Sequence, residues 1–410
     1  MTTSSTDAVA LLRELDDIGR DPVRGGHSRH LLDDADRAMR AWFVAAAEGM
    51  GLRVEVDGNA NVWATWDVDD VTDDLPAVVT GSHLDSVPGG GAYDGPLGVV
   101  TALAAVARLQ ADAHRPSRPL RVVVFAEEEG ARFGVACLGS GLMTGAVSPE
   151  RARALTDPTG VRLADAFTAA GLDPARIGPD PDRLAGIAAF VELHVEQGRQ
   201  LAPLDASVGL ATTILAHGRW SVRIEGRGDH AGATELADRR DPVLVAAEVV
   251  RGARARSLAA PAAARARATV GRIGVVPGGT NAIASSVTLS LDARAEEDAD
   301  VRALVDAIGR EARSAAVAEG CVVEVAEESF SPRVAFDTTL TDRMATVLGE
   351  PPRVPTGAGH DAGVLSAHVP TGMLFVRNPD GVSHAPGESA SVDDVRAGVD
   401  ALVAVLRELT

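Results

Sequence analysis

The sequence contains no lysine: all 39 of its basic residues are arginine. A chain without lysine cannot form a Schiff base with a carbonyl substrate, hold phosphate through a P-loop lysine or use a Ser-x-x-Lys nucleophile. These three chemistries are therefore excluded. Aromatic residues make up only 3% of the chain. We therefore expect the hydrophobic core to consist largely of Ala, Val and Leu.

Cysteine and long apolar runs are equally scarce. The two cysteines, Cys137 and Cys321, stand too far apart for a CxxC motif and supply no disulfide framework, which favours a reducing compartment. Residues Met1–Ser5 lack the basic-then-apolar pattern of a signal peptide. No apolar run approaches the ~20 residues that a membrane helix needs. The sequence therefore predicts a soluble, cytoplasmic protein without a membrane partner.

Positive charge is in deficit, since 58 acidic residues face 39 basic ones and the formal net charge is −19 at pH 7. An acidic surface of this size repels the phosphates of nucleic acids and of anionic membranes. We expect neither as a partner. The length of 410 residues is ample for two domains with sizeable cores.

Apolar runs of strand length alternate with longer amphipathic segments, a pattern typical of an α/β protein. The middle of the chain follows the order β-α-β-β-α-β of a ferredoxin-like unit. Its predicted elements are strands 220–225, 268–276, 286–293 and 322–326 and helices 242–258 and 298–318. The sequence therefore predicts a catalytic α/β domain in two parts, 1–209 and 329–410, and an inserted α+β domain, 210–328.

Histidine and carboxylate residues follow four predicted strands, and ligands bind at such strand ends in open α/β sheets. Three imidazoles and several carboxylates suit zinc or manganese, and a carboxylate can bridge two ions. Each of these histidine- or carboxylate-containing segments, taken alone, has an ordinary structural explanation, such as a hydrogen-bonded histidine or a solvated turn. Their coincidence at four strand ends favours a metal site, and Asp85 is spaced to accept the other ring N–H of His83. The segments are Gly81–Asp85 with Asp94, Glu127–Gly130, His194–Gly198 and Gly381–His384.

These segments, in the same order along the chain, resemble the amidase/carbamoylase branch of the aminoacylase-type dinuclear metallohydrolases. This branch includes allantoate amidohydrolase, N-carbamoyl-L-amino acid hydrolase and β-ureidopropionase. The resemblance runs from about residue 8 to the C-terminus. It implies a metallopeptidase-type catalytic domain with a mixed sheet and helices on both faces. It also implies that the insert is a dimerisation and lid domain. The segments that carry it are Gly81–Asp94, Phe125–Phe133, His194–Gly198, Asp229–Thr234, Gly357–Ala362 and Gly381–Pro386.

The resemblance also implies a set of site residues. Two divalent ions, zinc or manganese, would share Asp94, and Glu128 would be the general base for the attacking water. Glu127 would be a supporting or surface group. In the insert, His230 would steady the oxyanion in the active site of the partner subunit of a homodimer. The first ion would bind His83, Asp94 and His194, the second Asp94, Glu129 and His384, and the substrate Gln197, Asn281, Arg294 and His360.

Alternatives stay open for two residues of the insert. An arginine fork suits a substrate carboxylate, but without the resemblance a surface ion pair of Arg294 with Glu296 or Glu297 is the preferred explanation. His230 is equally explained by a loop hydrogen bond. The family's Gly-Gln-Arg after residue 216 is replaced here, and His217 is a candidate for the role of the missing glutamine.

The sequence therefore predicts a dinuclear amidohydrolase that cleaves a ureido C–N bond in a small carboxylate. Allantoate ranks first because segments 374–379 and 381–384 resemble allantoate-type sequences. N-carbamoyl-L-amino acids rank second and N-carbamoyl-β-alanine third. A metal-binding scaffold without turnover is disfavoured because every ligand candidate and Glu128 are retained. A dipeptidase or aminoacylase is disfavoured because those relatives usually have a carboxylate where His194 stands. Glu388 carries no signal.

Overall fold

The structure is a computed structural model that describes residues 6–67 and 75–410. The segment on which the signal-peptide prediction rests, Met1–Ser5, lies outside the described residues. The chain forms two compact units, the first from Met1–Thr213 together with Ala335–Thr410 and the second from Ile214–Val334. None of the described helices combines the length and the hydropathy that crossing a membrane requires.

Strands and helices alternate along both units. The strands are β1 (Arg53–Val56), β2 (Val62–Trp66), β3 (Ala77–His83), β4 (Leu120–Phe125), β5 (Ile187–Val195), β6 (Val208–Ile214), β7 (Ala216–Glu225), β8 (Asp229–His230), β9 (Arg267–Val276), β10 (Ala282–Ile283), β11 (Ser286–Ala295), β12 (Val322–Ser331), β13 (Val334–Ala335), β14 (Arg353–Thr356) and β15 (Thr371–Val376). The helices are α1 (Ala8–Leu15), α2 (Asp34–Gly49), α3 (Pro96–Ala111), α4 (Leu138–Thr144), α5 (Pro149–Ala154), α6 (Leu163–Ala169), α7 (Pro181–Ala185), α8 (Pro242–Ala259), α9 (Asp298–Glu319), α10 (Thr338–Leu348), α11 (Asp361–Leu365) and α12 (Val392–Leu409).

The first unit is built on a mixed sheet in the order β1-β2-β4-β3-β5-β15-β6-β13, with β14 paired to β6. Strands β4, β3, β5 and β15 are parallel neighbours, whereas β2 and β6 run antiparallel to theirs. Helices α3 and α12 pack in the core on one face, and α11 contacts β5 and β15. The predicted mixed sheet with helices is therefore confirmed.

The central strands of the first unit are buried along almost their whole length. Every residue of β3 is buried, as expected for a parallel strand that is covered on both faces. Helix α3 begins with Pro96 at its first position, after Gly95 with φ 85°. Almost all of α3 is buried, so the residue before Gly95, Asp94, lies at the start of a core helix.

The second unit has an antiparallel sheet in the order β12-β7-β11-β9, with α8 packed against α9. Its main elements follow the predicted β-α-β-β-α-β order, and its core includes Val222, Val245 and Ile308. The division between units falls a few residues after the predicted boundaries near 210 and 328. The reason is that β6 remains in the first sheet to Ile214, while β12 passes a register shift after Glu327 and continues along β7.

Candidate metal centre

The carboxyl ends of the four parallel strands bring the predicted ligands to one edge of the first unit's sheet. His83 ends β3, and His194 lies one residue before the end of β5. Glu129 follows β4, and His384 follows β15. Because these strands are neighbours, side chains from four distant segments meet at this edge.

One group of potential ligands comprises His83, Asp94 and His194, all of them buried. Asp94 Oδ1 lies 3.2 Å from His194 Nε2 and 3.6 Å from His83 Nε2. The Nδ1 atoms hydrogen-bond to backbone carbonyls, His83 to Asp85 at 3.0 Å and His194 to Val195 at 2.9 Å. Each Nδ1 therefore donates a hydrogen to a carbonyl, which directs each Nε2 to the centre of the group, the orientation in which its lone pair can bind an ion.

The partner of His83 corrects the sequence prediction for Asp85. The spacing predicted that the Asp85 carboxylate would accept the ring N–H of His83. The acceptor is instead the backbone carbonyl of Asp85, and its Oδ1 is 3.6 Å from Nδ1. The carboxylate accepts the backbone N–H groups of Glu128 at 3.2 Å and Glu129 at 3.1 Å. Asp85 therefore holds the Glu128–Glu129 segment as well as the His83 ring.

A second group of potential ligands comprises Asp94, Glu129 and His384. His384 Nε2 lies 3.4 Å from Asp94 Oδ2 and 3.4 Å from Glu129 Oε2. Asp94 belongs to both groups through its two different oxygens. This arrangement is the one that a bridging carboxylate between two ions requires.

Several buried polar atoms of the site lack hydrogen-bond partners, and they indicate whether ions fit there. Within the described chain, His83 Nε2, Asp94 Oδ1, His194 Nε2 and Glu129 Oε1 are buried and have no hydrogen-bond partner. Buried polar atoms without a partner are costly, and cations among them would remove that cost. Imidazole nitrogens with carboxylate oxygens suit zinc or manganese. The residues present therefore fit two divalent ions.

A third group, Glu192, His194 and His360, is less suited to an ion. Both oxygens of Glu192 already accept hydrogen bonds, one from Ser82 Oγ at 2.8 Å and one from the Ala362 N–H at 3.0 Å. The Nε2 lone pair of His194 can serve one ion only. His194 is therefore better assigned to the group with His83 and Asp94.

Burial raises the pKa of two carboxyl groups at the sheet edge, whereas neighbouring histidines lower that of a third. Burial, and then the charge of Asp94, raise the pKa of Glu129 to about 8. Burial also raises the pKa of Glu128 well above its usual range, although the charge of His83 opposes this. Burial likewise acts to raise the pKa of Asp94, but the neighbouring His194 and His83 hold it well below its usual range. Acids crowded together in this way mark a position where cations are stabilised.

The three consecutive glutamates differ in direction because the chain turns at Glu127, which has φ 55°. Glu128 is 6% exposed, and its Oε2 lies 3.7 Å from His83 Nε2. Glu127 is fully buried, and its Oε1 accepts the N–H groups of Arg132 at 2.8 Å and Phe133 at 2.6 Å. The expectation that Glu127 is a surface group is therefore wrong, whereas a supporting role agrees with these contacts.

Two of the predicted substrate-binding residues lie against the ligand groups. Gln197 Nε2 donates to Asp94 Oδ2 at 2.8 Å. The His360 ring is buried, with its centroid 4.6 Å from that of His194. Neither ring nitrogen of His360 has a hydrogen-bond partner among the described residues. Burial, and then the charge of His194, lower the pKa of His360 well below its usual range. His360 is therefore a neutral imidazole with both nitrogens available.

The second unit carries His230 and Asn281 on a small pair of strands. His230 pairs with Ala282, the residue after Asn281. The exposed His230 ring accepts the N–H groups of Gly232 at 3.0 Å and Ala233 at 3.1 Å through Nδ1. Its hydrogen is therefore on Nε2, which makes that atom a neutral donor. The loop hydrogen bond expected as an alternative is present and leaves Nε2 for another role.

His217 and Arg294 are cross-strand partners in the second unit, on β7 and β11. The Arg294 guanidinium forms a two-point contact with Asp292, at 2.9 and 3.1 Å. Glu296 and Glu297, the partners considered from the sequence, lie 3.8 and 3.4 Å from Arg333. Asp292 and Arg294 point to the same face of β11 because residues i and i+2 share a face of a strand.

The sequence missed Glu388. This residue is 5% exposed, and its Oε2 accepts the N–H groups of Tyr93 at 3.0 Å and Asp94 at 2.9 Å. Burial, and then the charge of Asp94, raise its pKa to about 7. Its position four residues after His384 was the available signal, but spacing alone does not reveal which backbone amides a glutamate meets.

Comparison with known proteins places this geometry in a family. A family profile that describes peptidase family M20/M25/M40 matches residues 79–408. An N-carbamoyl-L-amino acid amidohydrolase of Geobacillus stearothermophilus is 35% identical over 95% of this chain and 95% of its own length. An allantoate amidohydrolase of Bacillus subtilis is 33% identical over 88% of this chain and 87% of its own. A ureidoglycolate hydrolase of Arabidopsis thaliana is 31% identical over 99% of this chain and 87% of its own.

Solved structures agree with this assignment. A hydantoinase/carbamoylase family amidase from Burkholderia ambifaria matches with a TM-score of 0.85 at 33% identity, and the match covers 98% of this chain and 96% of that chain. The predicted family resemblance is thereby confirmed. The chain belongs to peptidase family M20/M25/M40 and is a hydrolase of C–N bonds.

Proposed function

We propose that this chain is a dinuclear metal-dependent amidohydrolase that cleaves the carbamoyl C–N bond of a small ureido carboxylate. One observation carries the proposal: two buried imidazole nitrogens converge without partners on the carboxylate of Asp94. In the proposal His83, Asp94 and His194 hold one ion, and Asp94, Glu129 and His384 hold the other. Divalent ions at such a site lower the pKa of water towards neutrality and polarise a carbonyl.

The chain's own side chains supply proton transfer and orientation. In the proposal Glu128 accepts a proton from the attacking water and delivers it to the leaving nitrogen. Its 3.7 Å distance from His83 Nε2 supports this role. Gln197 orients the Asp94 carboxylate through its 2.8 Å hydrogen bond, and His360 offers a neutral ring nitrogen to the substrate. Asp85 holds the backbone that carries Glu128.

We propose N-carbamoyl-L-amino acids as the first substrate class and allantoate as the second. The sequence ranked allantoate first on segment 381–384 together with segment 374–379. In that segment, however, Arg377 pairs with Asp394 at 2.9 Å, and Asn378 donates to the Val382 carbonyl at 2.7 Å. These contacts shape the loop that precedes His384, so they account for Arg377 and Asn378 without reference to a substrate. The relative that is 35% identical over 95% of the chain is named for N-carbamoyl-L-amino acids.

The proposed substrates share a carboxylate, for which Asn281, Arg294 and His217 of the second unit are the proposed partners. Arg294 and His217 are neighbours on paired strands. Burial lowers the pKa of His217 by more than the hydrogen bond to the Leu215 carbonyl raises it, so the pKa lies below its usual range. A neutral His217 presents a ring nitrogen as a hydrogen-bonding group, which is the part a glutamine amide would play.

The first test measures ammonia release by protein loaded with Zn²⁺ or Mn²⁺. Parallel reactions contain an N-carbamoyl-L-amino acid, allantoate, ureidoglycolate and N-carbamoyl-β-alanine. Ammonia reports cleavage of all four, because the carbamate set free by C–N cleavage decomposes to CO₂ and ammonia. We expect turnover of the N-carbamoyl-L-amino acid to exceed that of the others, because a relative that is 35% identical over 95% of this chain is named for that substrate class. A chelated sample is the control and should be inactive until metal is restored. Faster turnover of allantoate would reverse the ranking, and no turnover of any of the four would contradict the proposed function.

We further propose that the protein is a homodimer in which His230 of each subunit completes the metal centre of its partner. Exposed apolar side chains on the second unit support an interface there. They include Leu244 of α8 and Ile273 and Val276 of β9. The Nε2 hydrogen of His230 supports its proposed role as a donor to the oxyanion.

Mixing two inactive variants tests the shared site. Glu128→Gln and His230→Ala should each lack activity. After subunit exchange, the mixture should regain about a quarter of wild-type activity, because half of the dimers are mixed and each has one intact site. Sedimentation of the wild-type protein measures its mass in solution and so distinguishes a dimer from a monomer. A fully active monomer, or a mixture that stays inactive after proven exchange, would contradict the shared site.

A further inference from the structure

Glu388 contacts the backbone of the proposed bridging residue rather than an ion. Its Oε2 accepts two adjacent N–H groups, from Tyr93 at 3.0 Å and from Asp94 at 2.9 Å. Glu388 is 5% exposed, and its Oε1 has no partner within the described residues. A buried carboxylate that accepts two backbone donors fixes the peptide that carries them.

The loop opposite Glu388 is shaped to admit its carboxylate. A Cβ atom at Gly91 would lie 2.1 Å from Glu388 Oε2 and 2.6 Å from its Cβ. Gly91 does not have a positive φ, so its backbone conformation does not itself demand glycine. Glycine is needed at position 91 because any side chain would displace Glu388.

The same loop supplies both a potential ligand and this support. His384 lies 3.4 Å from Asp94 Oδ2, and Glu388, four residues later, holds the Asp94 amide. Gln197 binds the same Oδ2 atom at 2.8 Å. The position of Asp94 is thus set from its backbone by Glu388 and from its side chain by Gln197.

We propose that Glu388 is a positioning residue that aligns the Asp94 carboxylate so that it can bridge the two ions. This inference rests on the proposed dinuclear function. Partners that orient a ligand typically contribute about 10- to 100-fold to metal affinity or activity. Because Asp94 belongs to both ligand groups, misalignment should weaken both ions together.

The test uses Glu388→Ala, Glu388→Gln and Gly91→Ala in the full chain. Affinity for Co²⁺ is measured by competition with a chromophoric chelator, and the visible spectrum of bound Co²⁺ reports its coordination. Glu388→Ala and Gly91→Ala should weaken binding of both ions about 10- to 100-fold and change the spectrum. Glu388→Gln should stay near wild type, because the amide oxygen still accepts both N–H groups.

Two control variants separate positioning from general stability. Asp157 is also a buried carboxylate that accepts two backbone N–H groups, from Thr159 at 2.9 Å and Val161 at 3.0 Å. Asp157→Ala should lower the melting temperature without changing Co²⁺ affinity. Gly49 ends α2 and has no atom within 4 Å of an added Cβ, so Gly49→Ala should change neither property.

The outcomes distinguish the inference from the function on which it rests. If folded Glu388→Ala and Gly91→Ala bind both Co²⁺ ions with wild-type affinity and spectrum, the positioning role is overturned. If Glu388→Ala fails to fold, Gly91→Ala still decides, because it displaces the Glu388 carboxylate without removing it. If the wild-type protein itself binds no Co²⁺, the proposed dinuclear function fails and the positioning role fails with it.

Discussion

Replacing Glu128 by glutamine is expected to lower turnover about 10²- to 10⁴-fold, the range that general acid–base catalysis typically contributes. Glutamine has nearly the same shape but cannot accept and return a proton at neutral pH. Glu128 belongs to neither proposed ligand group, so both ions should remain bound. Steady-state kinetics and metal analysis of the same preparation measure the two effects.

The neighbouring residue provides a matched control for this substitution. Glu127→Gln also changes a buried glutamate to its amide. Its Oε1 accepts the Arg132 and Phe133 N–H groups, which a glutamine oxygen can still do. Turnover should therefore change much less than in Glu128→Gln. Equal losses in the two variants, or loss of metal from Glu128→Gln, would contradict the assignment of Glu128 as general base.

Replacing Asp94 by asparagine is expected to release both ions and to reduce activity by more than about 100-fold, beyond the range typical of residues that only orient a ligand. An amide has one oxygen and no charge, so it cannot bridge two cations. His384→Ala should release one ion only, because His384 belongs to a single ligand group. Metal content after dialysis, measured by mass spectrometry, distinguishes the two patterns.

A buried aspartate in another network controls for folding. Asp57 accepts hydrogen bonds from Trp63 Nε1 and the Asn61 side chain, both at 2.9 Å. Asp57→Asn should lower stability while both ions stay bound. Retention of two ions by Asp94→Asn would show that its carboxylate is not the bridge.

Much of the architecture follows from local patterns in the sequence. Strands such as β9 and β11, and helix α8, lie within a few residues of their predicted positions. Burial leaves a periodic record in each segment, which is why these elements are predictable. Their order in the sheet is less accessible, because β4, β3, β5 and β15 become neighbours only through connections that local periodicity does not describe.

The candidate metal centre also has features that the sequence predicted and features that it did not. The residue types that follow the strands indicated a metal centre, and the family resemblance implied the sets that include His83, Asp94 and His194. The wrong or missing assignments concern hydrogen-bond partners from remote segments. Asp85 meets the amides of Glu128 and Glu129 rather than the ring of His83.

By itself, then, the sequence determined the absence of lysine chemistry, the alternation of strands and helices, and the identity of the side chains that reach the sheet edge. Only the tertiary structure decided which atoms of those side chains are left without a partner and which acids support them. Glu388 and Asp94 are 294 residues apart in sequence, yet joined by a 2.9 Å hydrogen bond. Periodicity records whether a side chain is buried, whereas such a contact depends on strand order and loop path, which are set by the packing of the whole unit.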